Sequence, residues 1–177
     1  VNFTITPKGE PPPPHPPIVS QIFHRVWIGG GRELPDKFEW FLSSWRLRHP
    51  GWRIVTWNDA NMFELSNNHM LANAETHAEM ADVVRLEVIL RYGGVYLDTD
   101  MQCFKNIEPI LENVTIFVAE EDHERICPSI FGAARGHPVL KDMTVAIADW
   151  SQQHLHSQPN VKTGPMFWTA YLQSRHF

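Results

Sequence analysis

The chain has 177 residues, of which 43% are hydrophobic and 20% charged, and its formal net charge is -5 at pH 7. This composition is typical of a globular domain and excludes a disordered chain. The negative charge argues against a nucleic-acid-binding protein, which would carry a basic stripe, so no nucleic-acid partner is predicted. No stretch reaches the roughly 20 apolar residues that span a bilayer. Any membrane anchor would therefore lie in a segment absent from this chain.

Proline dominates the start of the chain. Six of the seven residues at 11–17 are proline, which predicts an extended, semi-rigid polyproline II segment. We therefore expect residues 1–19 to form a Pro-rich stem or linker, and residues 20–177 to form one globular domain, large enough to bury a core.

Hydrophobic periodicity predicts the elements of this domain. In chain order they are a strand at 20–28, a glycine loop at 29–31, a helix at 34–48, a strand at 52–57, a short helix at 58–65, a helix at 74–91, a strand at 95–97, a short helix at 107–111, strands at 116–119 and 129–134, a helix at 138–150 and a last helical turn or two from 163. The glycine loop is a place where backbone can approach a ligand closely. Strands that alternate with helices imply an α/β layered fold with a mainly parallel sheet.

The most informative segment is Gly93–Asp100. It predicts a glycine stop after a helix, a short buried strand, and two carboxylates where that strand ends. Because side chains alternate along an extended chain, we expect Asp98 and Asp100 on one face and Thr99 on the other. Two such carboxylates suit a hard divalent cation, Mn²⁺ or Mg²⁺, that also takes diphosphate oxygens. A bare D-x-D is also typical of a simple strand-end turn, because Asp favours turns.

Two opposite charges lie on the apolar helix just upstream. Asp82 and Arg85 are three residues apart, so they share one helix face. Charged groups inside an apolar helix are costly unless they are paired or bound to a ligand. The two side chains therefore form either a structural ion pair or part of a ligand site, and spacing alone leaves both interpretations open.

These residues form the pattern A-x-x-A-D-x-x-R-x-x-x-I-x-x-x-G-G-x-Y-x-D-x-D between Ala78 and Asp100. The pattern resembles the DXD sugar-transferase family (glycosyltransferase family 32), which includes fungal initiation-type α-1,6-mannosyltransferases, inositolphosphoceramide mannosyltransferases and the glucosylating domains of clostridial toxins. The H-x-x-W-x-G core of residues 22–29, residues 131–138 and Thr163-Gly164-Pro165 are also similar to the family. The resemblance covers about residues 20–170.

The resemblance implies a GT-A fold, a Rossmann-like sandwich that binds a sugar nucleotide, over residues 20–177. In such a fold Trp27 would stack on the nucleotide base, although a tryptophan there could also pack in the core. Asp82 and Arg85 would hold ribose and donor-sugar hydroxyls. Tyr96 would line the donor pocket or pack within its strand.

The same resemblance implies the metal site. Asp98 would contact the ribose or sugar and the metal ion, and Asp100 would be the main direct metal ligand. Together with Arg85, these two carboxylates would be the catalytic residues. Related catalytic domains continue well past this length, so we expect a further metal ligand or acceptor-side residues beyond Phe177.

The implied activity is a metal-dependent retaining glycosyl transfer. The donor would be GDP-mannose or a UDP-hexose, with mannose ahead of glucose or galactose, and the acceptor a glycan, a sphingolipid or a protein. No side chain stands out as a covalent nucleophile, which favours a front-face displacement. The alternative is a catalytically weak or inactive sugar-nucleotide-binding module.

Weaker signals concern the compartment. The sequons at Asn2 and Asn113 fit the lumen of the Golgi or secretory pathway, where the enzyme would be membrane-anchored. Cys103 and Cys127 would there form one disulfide, or else remain two buried thiols.

Overall fold

The computed structural model describes residues 2–5, 19–122 and 124–175. The strands of this part of the chain are β1 (Asn2–Ile5), β2 (Ile22–Val26), β3 (Arg53–Trp57), β4 (Gly94–Leu97), β5 (Ile116–Glu120) and β6 (Ile126–Ala133). The helices are α1 (Lys37–Arg48), α2 (Asn68–Ala72), α3 (His77–Tyr92), α4 (Pro138–Gln153), α5 (Pro159–Lys162) and α6 (Pro165–Ser174), with a 3-10 turn at Glu108–Ile110.

The strands form one sheet in the order β1-β5-β6-β4-β2-β3. β2 pairs in parallel with both β3 and β4, whereas β6 runs antiparallel to both β4 and β5. Four strands, β2 to β5, therefore run in one direction, and β6 and β1 run in the other. The predicted α/β fold with a mainly parallel sheet is confirmed. The reversed strand β6 places the end of β4 against the middle of a long neighbouring strand.

The N-terminal region differs in part from the prediction. Residues 2–5, which we expected in the stem, form edge strand β1, paired antiparallel with β5 from Asn2 opposite Glu120 to Ile5 opposite Phe117. The predicted polyproline segment at 11–17 lies outside the described residues.

Both faces of the sheet carry a hydrophobic core, because successive side chains of a strand point to opposite faces. Tyr96 of β4 packs with α3, α4 and α6 on one face, where Trp168 is fully buried. Val95 and Leu97 pack on the other face with Trp45 of α1. The result is helices on both sides of the sheet, an arrangement that leaves the strand ends as the place for a site.

Helix α3 begins later than predicted because its N-terminus is capped. The hydroxyl of Thr76 accepts a hydrogen bond from the amide of Glu79 at 3.2 Å, and the Glu79 carboxylate accepts one from the amide of Glu75 at 3.1 Å. These two hydrogen bonds start the helix at His77, with Thr76 as its N-cap, and Gly93, with φ of 66°, ends it.

The predicted short helix at 58–65 is wrong. The side-chain oxygen of Asn58 accepts a hydrogen bond from the amide of Ala60 at 2.9 Å, and the Asn61 amide group donates to the carbonyl of Thr56 at 2.9 Å. Local side-chain hydrogen bonds of this kind compete with helix formation. Helix α2 forms only at Asn68–Ala72.

Gly94 joins α3 to the central strand in a conformation that side chains rarely adopt, with φ of 97°. A Cβ added there would lie 2.6 Å from the carbonyl oxygen of Ile22. We expect Gly94→Ala to lower the free energy of unfolding by roughly 2 kcal/mol or more, measured by urea denaturation. Gly51→Ala is the matched control, since no atom lies within 4 Å of its Cβ position. Equal midpoints for the two variants would contradict this account.

His24 of β2 lies beneath the same glycines. Its Nε2 donates to the carbonyl of Gly93 at 3.0 Å, and its Nδ1 accepts from the indole of Trp57 at 3.0 Å. Burial lowers the pKa of His24 from 6.5 to about 4, against the raising effect of the Gly93 carbonyl. The folded protein therefore keeps His24 neutral at pH values where the unfolded chain protonates it.

The depressed His24 pKa predicts a loss of stability in acid. Between pH 6.5 and pH 4 the unfolded state binds a proton that the folded state does not, so His24 should cost about 3 kcal/mol of stability across this window. The measurement is the free energy of unfolding against pH for wild type and His24→Gln, whose uncharged amide can donate to the Gly93 carbonyl in place of Nε2. Subtracting the two profiles removes the contribution that the other titrating groups make to the pH dependence. A flat difference between pH 6.5 and 4 would rule out this role of His24.

Two further expectations concerned a Cys103–Cys127 disulfide and a membrane anchor. Cys103 is buried, Cys127 is half-buried, and both are free thiols in the structure. Within the described part of the chain, no helix combines the length and the apolar character that crossing a membrane requires.

Candidate active site

A cleft of about 270 Å³ opens where β2 and β4 end. Its wall is formed by residues that follow β2, by the first half of α3, and by the end of β4 with the turn after it. The residues that line it include Trp27, Arg32, His77, Ala81, Arg85, Tyr96, Asp98, Thr99 and Asp100. Ligands of open α/β sheets bind in such crevices outside the carboxyl ends of the strands.

The D-x-D segment is a turn in the structure. The amide of Asp98 donates to the carbonyl of Ser129 at 2.8 Å, and the carbonyl of Asp98 accepts from the amide of Met101 at 3.2 Å. Asp98 and Asp100 line the same cleft, as predicted, but Thr99 lines it too. The predicted alternation of faces is therefore wrong, because the extended backbone stops at Leu97.

The two carboxylates differ in their surroundings. Oδ1 of Asp98 accepts a hydrogen bond from the Tyr96 hydroxyl at 2.7 Å and lies 3.6 Å from Nη2 of Arg85, and the Asp98 side chain is 33% exposed. Asp100 is exposed and has no hydrogen bond or ion pair with the described residues. Burial raises the pKa of Tyr96 well above 10, so its phenol stays protonated and donates. Asp98 is thus held in place, while Asp100 is open to a ligand.

Arg85 is enclosed by its own chain. Its Nη2 lies 2.6 Å from Oδ1 of Asp82, its Nη1 donates to the carbonyl of Pro128 at 2.8 Å, and its Nε donates to the carbonyl of Ala81 at 3.4 Å. The guanidinium also lies 4.7 Å from the centre of the Tyr96 ring. Burial opposes the charge of Arg85, but the Tyr96 oxygen and the carboxylates of Asp82 and Asp98 outweigh this effect and hold its pKa above the ordinary value. The ion pair, one of the two interpretations that the spacing left open, is present, and Arg85 also lines the cleft.

The partner carboxylate, Asp82, has both oxygens engaged. Its Oδ2 accepts from the Thr163 hydroxyl at 2.7 Å. Burial raises the pKa of Asp82, against the lowering effects of Arg85 and the Thr163 hydroxyl. Next to this pair, the buried side chains of Lys162 and Glu79 form an ion pair at 3.2 Å. Asp82 therefore connects α3 to the end of α5 and is not among the residues that line the cleft.

Sequence reasoning missed the roles of Lys162 and Thr163. The available signal was the Thr163-Gly164-Pro165 segment, whose similarity to the family predicts no particular contact. A hydroxyl that meets a carboxylate 81 residues away leaves no periodic pattern in the sequence.

Trp27 stands between the cleft and a second cavity of about 400 Å³. The indole is half-buried, and its Nε1 donates to the carbonyl of Arg32 at 3.0 Å. Its ring lies 5.4 Å from that of Phe38 and 5.5 Å from the Arg32 guanidinium. Trp27 is therefore accessible from two cavities and is not a core residue.

The glycine loop binds a carboxylate of this chain. The amides of Gly29 and Gly31 donate to the two oxygens of Asp59 at 3.0 and 2.8 Å. These hydrogen bonds lower the pKa of Asp59. The expected close approach of ligand to loop backbone would have to displace Asp59, so these two amides are not open donors.

The residues present fit a hard divalent ion. Within residues 2–5, 19–122 and 124–175, no group of three or more His, Cys, Asp or Glu side chains is arranged to hold a metal. Mg²⁺-type sites, however, often use one or two carboxylates and complete their coordination with phosphate oxygens and water. The exposed Asp100 and the anchored Asp98 match that donor set.

Comparison with known proteins relates the chain to glycosyltransferases. Residues 35–117 match the family model described as a glycosyltransferase sugar-binding region containing a DXD motif. The chain is 28% identical over 165 residues to inositol phosphoceramide mannosyltransferase 3 of Schizosaccharomyces pombe, covering 86% of this chain and 46% of the relative. It is 21% identical over 175 residues to mannosyl phosphorylinositol ceramide synthase SUR1 of Saccharomyces cerevisiae, covering 92% and 45%. The chain thus spans about half the length of these curated relatives.

A solved structure shares the fold. The PaToxG glycosyltransferase superposes with a TM-score of 0.71 over 90% of this chain and 71% of that chain, at 14% sequence identity. This likeness confirms the predicted GT-A-type fold. The match at residues 35–117 includes Asp98-Thr99-Asp100, which corresponds to the DXD motif of that family model, and the predicted resemblance of the chain to the DXD sugar-transferase family is confirmed.

Proposed function

We propose that this chain carries the donor site of a metal-dependent retaining glycosyltransferase. The enzyme would transfer a hexose from a nucleotide diphosphate sugar, with mannose preferred to glucose or galactose. The observation that carries the proposal is the shared cleft of Asp98, Asp100 and Trp27 at the carboxyl ends of β2 and β4. Relatives named as mannosyltransferases support mannose over glucose or galactose. With mannose as the sugar, we propose GDP-mannose as the donor in place of a UDP-hexose.

Asp98 and Asp100 would hold the ion, Mn²⁺ or Mg²⁺. When bound, the ion would neutralise the negative charge that develops on the departing diphosphate. The chain's own contribution is to hold one carboxylate still, because Tyr96 and Arg85 both contact Oδ1 of Asp98. This leaves Oδ2 of Asp98 and the exposed Asp100 to face the ligand.

The remaining residues would orient the donor. Trp27 would stack on the nucleotide base, since its half-buried ring borders both cavities. Tyr96 would line the donor pocket. Asp82 has both oxygens engaged, so we propose that it positions Arg85 in place of the direct sugar contact expected from the resemblance.

The acceptor is proposed from the relatives' names, which specify inositol phosphoceramide, a sphingolipid, ahead of a glycan or a protein. Its hydroxyl would attack the anomeric carbon on the face that the diphosphate leaves. A front-face displacement fits a cleft whose carboxylates, among the described residues that line it, are Asp98 and Asp100. A lipid acceptor would place the reaction at a membrane of the Golgi or secretory pathway, with anchoring through a segment outside this chain.

The test is sugar transfer by the purified protein. Labelled GDP-mannose, UDP-glucose and UDP-galactose are each supplied with inositol phosphoceramide in detergent, with Mn²⁺ or with a chelator. We expect transfer from GDP-mannose that requires the metal ion and retains the anomeric configuration. Transfer that is unaffected by the chelator would refute metal dependence, and transfer from a UDP-sugar alone would refute the mannose assignment.

The alternative is a sugar-nucleotide-binding module without turnover. The observation that favours it is the pair of carboxylates without a third protein ligand among the described residues. The same assay separates the two functions, because a binding module would bind GDP or UDP in calorimetry yet neither transfer nor hydrolyse any donor.

A further inference from the structure

The cleft contains two arginines, Arg32 and Arg85, and only Arg85 is paired with a carboxylate of this chain among the described residues. Arg85 is 6% exposed, and each nitrogen of its guanidinium already contacts an oxygen of this chain. Its positive charge is balanced by Asp82 and, at 3.6 Å, approached by Asp98. Arg85 would have to give up buried hydrogen bonds to reach a phosphate.

Arg32 is exposed and has uncharged partners. Its Nη2 lies 2.8 Å from Nδ1 of His77, its Nε lies 3.4 Å from the carbonyl of Gly29, and its guanidinium lies over the ring of Trp27. Arg32 forms no ion pair with the residues that the structure describes. It lines both the cleft and the second cavity beside Trp27.

The other charged groups of the cleft would not balance the negative charge of a bound diphosphate. Asp98 and Asp100 would balance a divalent ion, and Asp82 balances Arg85, so the negative charge of a bound diphosphate would remain uncompensated. The amides of Gly29 and Gly31, the usual kind of backbone phosphate cradle, already donate to Asp59. Since a guanidinium matches phosphate geometry with two parallel donors, Arg32 is suited to that charge.

We propose that Arg32 binds the diphosphate of the sugar nucleotide and stabilises it as the leaving group. This inference rests on the proposed function. As the bond between the anomeric carbon and the distal phosphate oxygen breaks, its electron pair stays on that oxygen. The acceptor oxygen forms the new bond to the anomeric carbon, and its proton passes to the same phosphate oxygen. Arg32 would be drawn from His77 toward the phosphates.

The test compares nucleoside diphosphates with nucleosides. GDP, UDP, guanosine and uridine are titrated with Mn²⁺ into wild type, Arg32→Met and Arg32→Lys, and binding is followed by ligand-observed NMR. We expect Arg32→Met to weaken diphosphate binding roughly tenfold or more and to leave nucleoside binding within about twofold. Arg32→Lys should recover part of the loss. Arg46→Met, which removes an exposed arginine of α1, is the control and should match wild type.

The outcomes separate the possible errors. If Arg32→Met weakens diphosphate and nucleoside equally, Arg32 serves only to support the Trp27 ring, and the inference is overturned. Unchanged diphosphate binding in Arg32→Met overturns it as well. If wild type binds neither GDP nor UDP, the proposed function itself fails. A kcat loss in Arg32→Met larger than its loss of donor affinity would add support, because the leaving group gains charge in the transition state.

Discussion

Replacing Asp100 with Asn is expected to reduce metal-dependent sugar transfer roughly 10²- to 10³-fold while changing the free energy of unfolding by less than about 0.5 kcal/mol. The amide has the shape of the carboxylate but lacks its charge. Asp100 is exposed, and its carboxylate has no partner within the described residues, so the fold loses nothing by the change. The measurements are initial rates with labelled GDP-mannose at several Mn²⁺ concentrations and a urea denaturation curve.

Asp149→Asn is the matched control for this variant. Asp149 is also exposed, lies on α4, and borders a groove separate from the cleft. We expect its transfer rate and its Mn²⁺ dependence to equal those of wild type. Equal rates for Asp100→Asn and wild type across the Mn²⁺ range would remove Asp100 from the metal site.

Replacing Arg85 with Met is expected to have the largest effect on stability. The change would leave Asp82 buried without its ion-pair partner and would remove one of the contacts that hold Asp98. Breaking a buried ion pair by removing one partner costs about 3–5 kcal/mol, because the other charge stays buried. The midpoint of urea denaturation should fall accordingly, and transfer activity should fall with it even in the fraction that remains folded.

Arg46→Met is the control for this stability effect. Arg46 also forms an ion pair, with Glu39 at 3.4 Å, but the two side chains are 57% and 47% exposed. An exposed pair contributes about 0–1 kcal/mol, so the midpoint should shift little. Similar midpoints for Arg85→Met and Arg46→Met would show that the Asp82–Arg85 pair does not stabilise this fold.

The order of the central elements could be predicted from the sequence because it depends on local signals. The apolar face of α3, the paired glycines and the short apolar run before Asp98 all lie within 24 consecutive residues, 77–100. Gly93 ends the helix through its own backbone conformation, with φ of 66°. The spacing of Asp82 and Arg85 on one helix face likewise predicts their contact without reference to the rest of the chain.

The predictions that failed depended on hydrogen bonds that local patterns do not record. The helix predicted at 58–65 was replaced by turns because Asn58 and Asn61 bond nearby backbone atoms. The alternation predicted at Thr99 assumed that the strand continues past Leu97. In the structure the amide of Asp98 donates to Ser129 of β6, and the backbone turns.

The sequence by itself determined the chemistry that is available: two carboxylates after a buried strand, a charged pair on an apolar helix, and a tryptophan after the first strand of the domain. Only the tertiary structure decided how these groups are used. Thr163 and Pro128 engage Asp82 and Arg85 from 81 and 43 residues away, and Asp59 takes the amides of the glycine loop. Such contacts form only when the chain folds, because they join groups that are distant in sequence. They leave Arg32 and Asp100 exposed at the cleft.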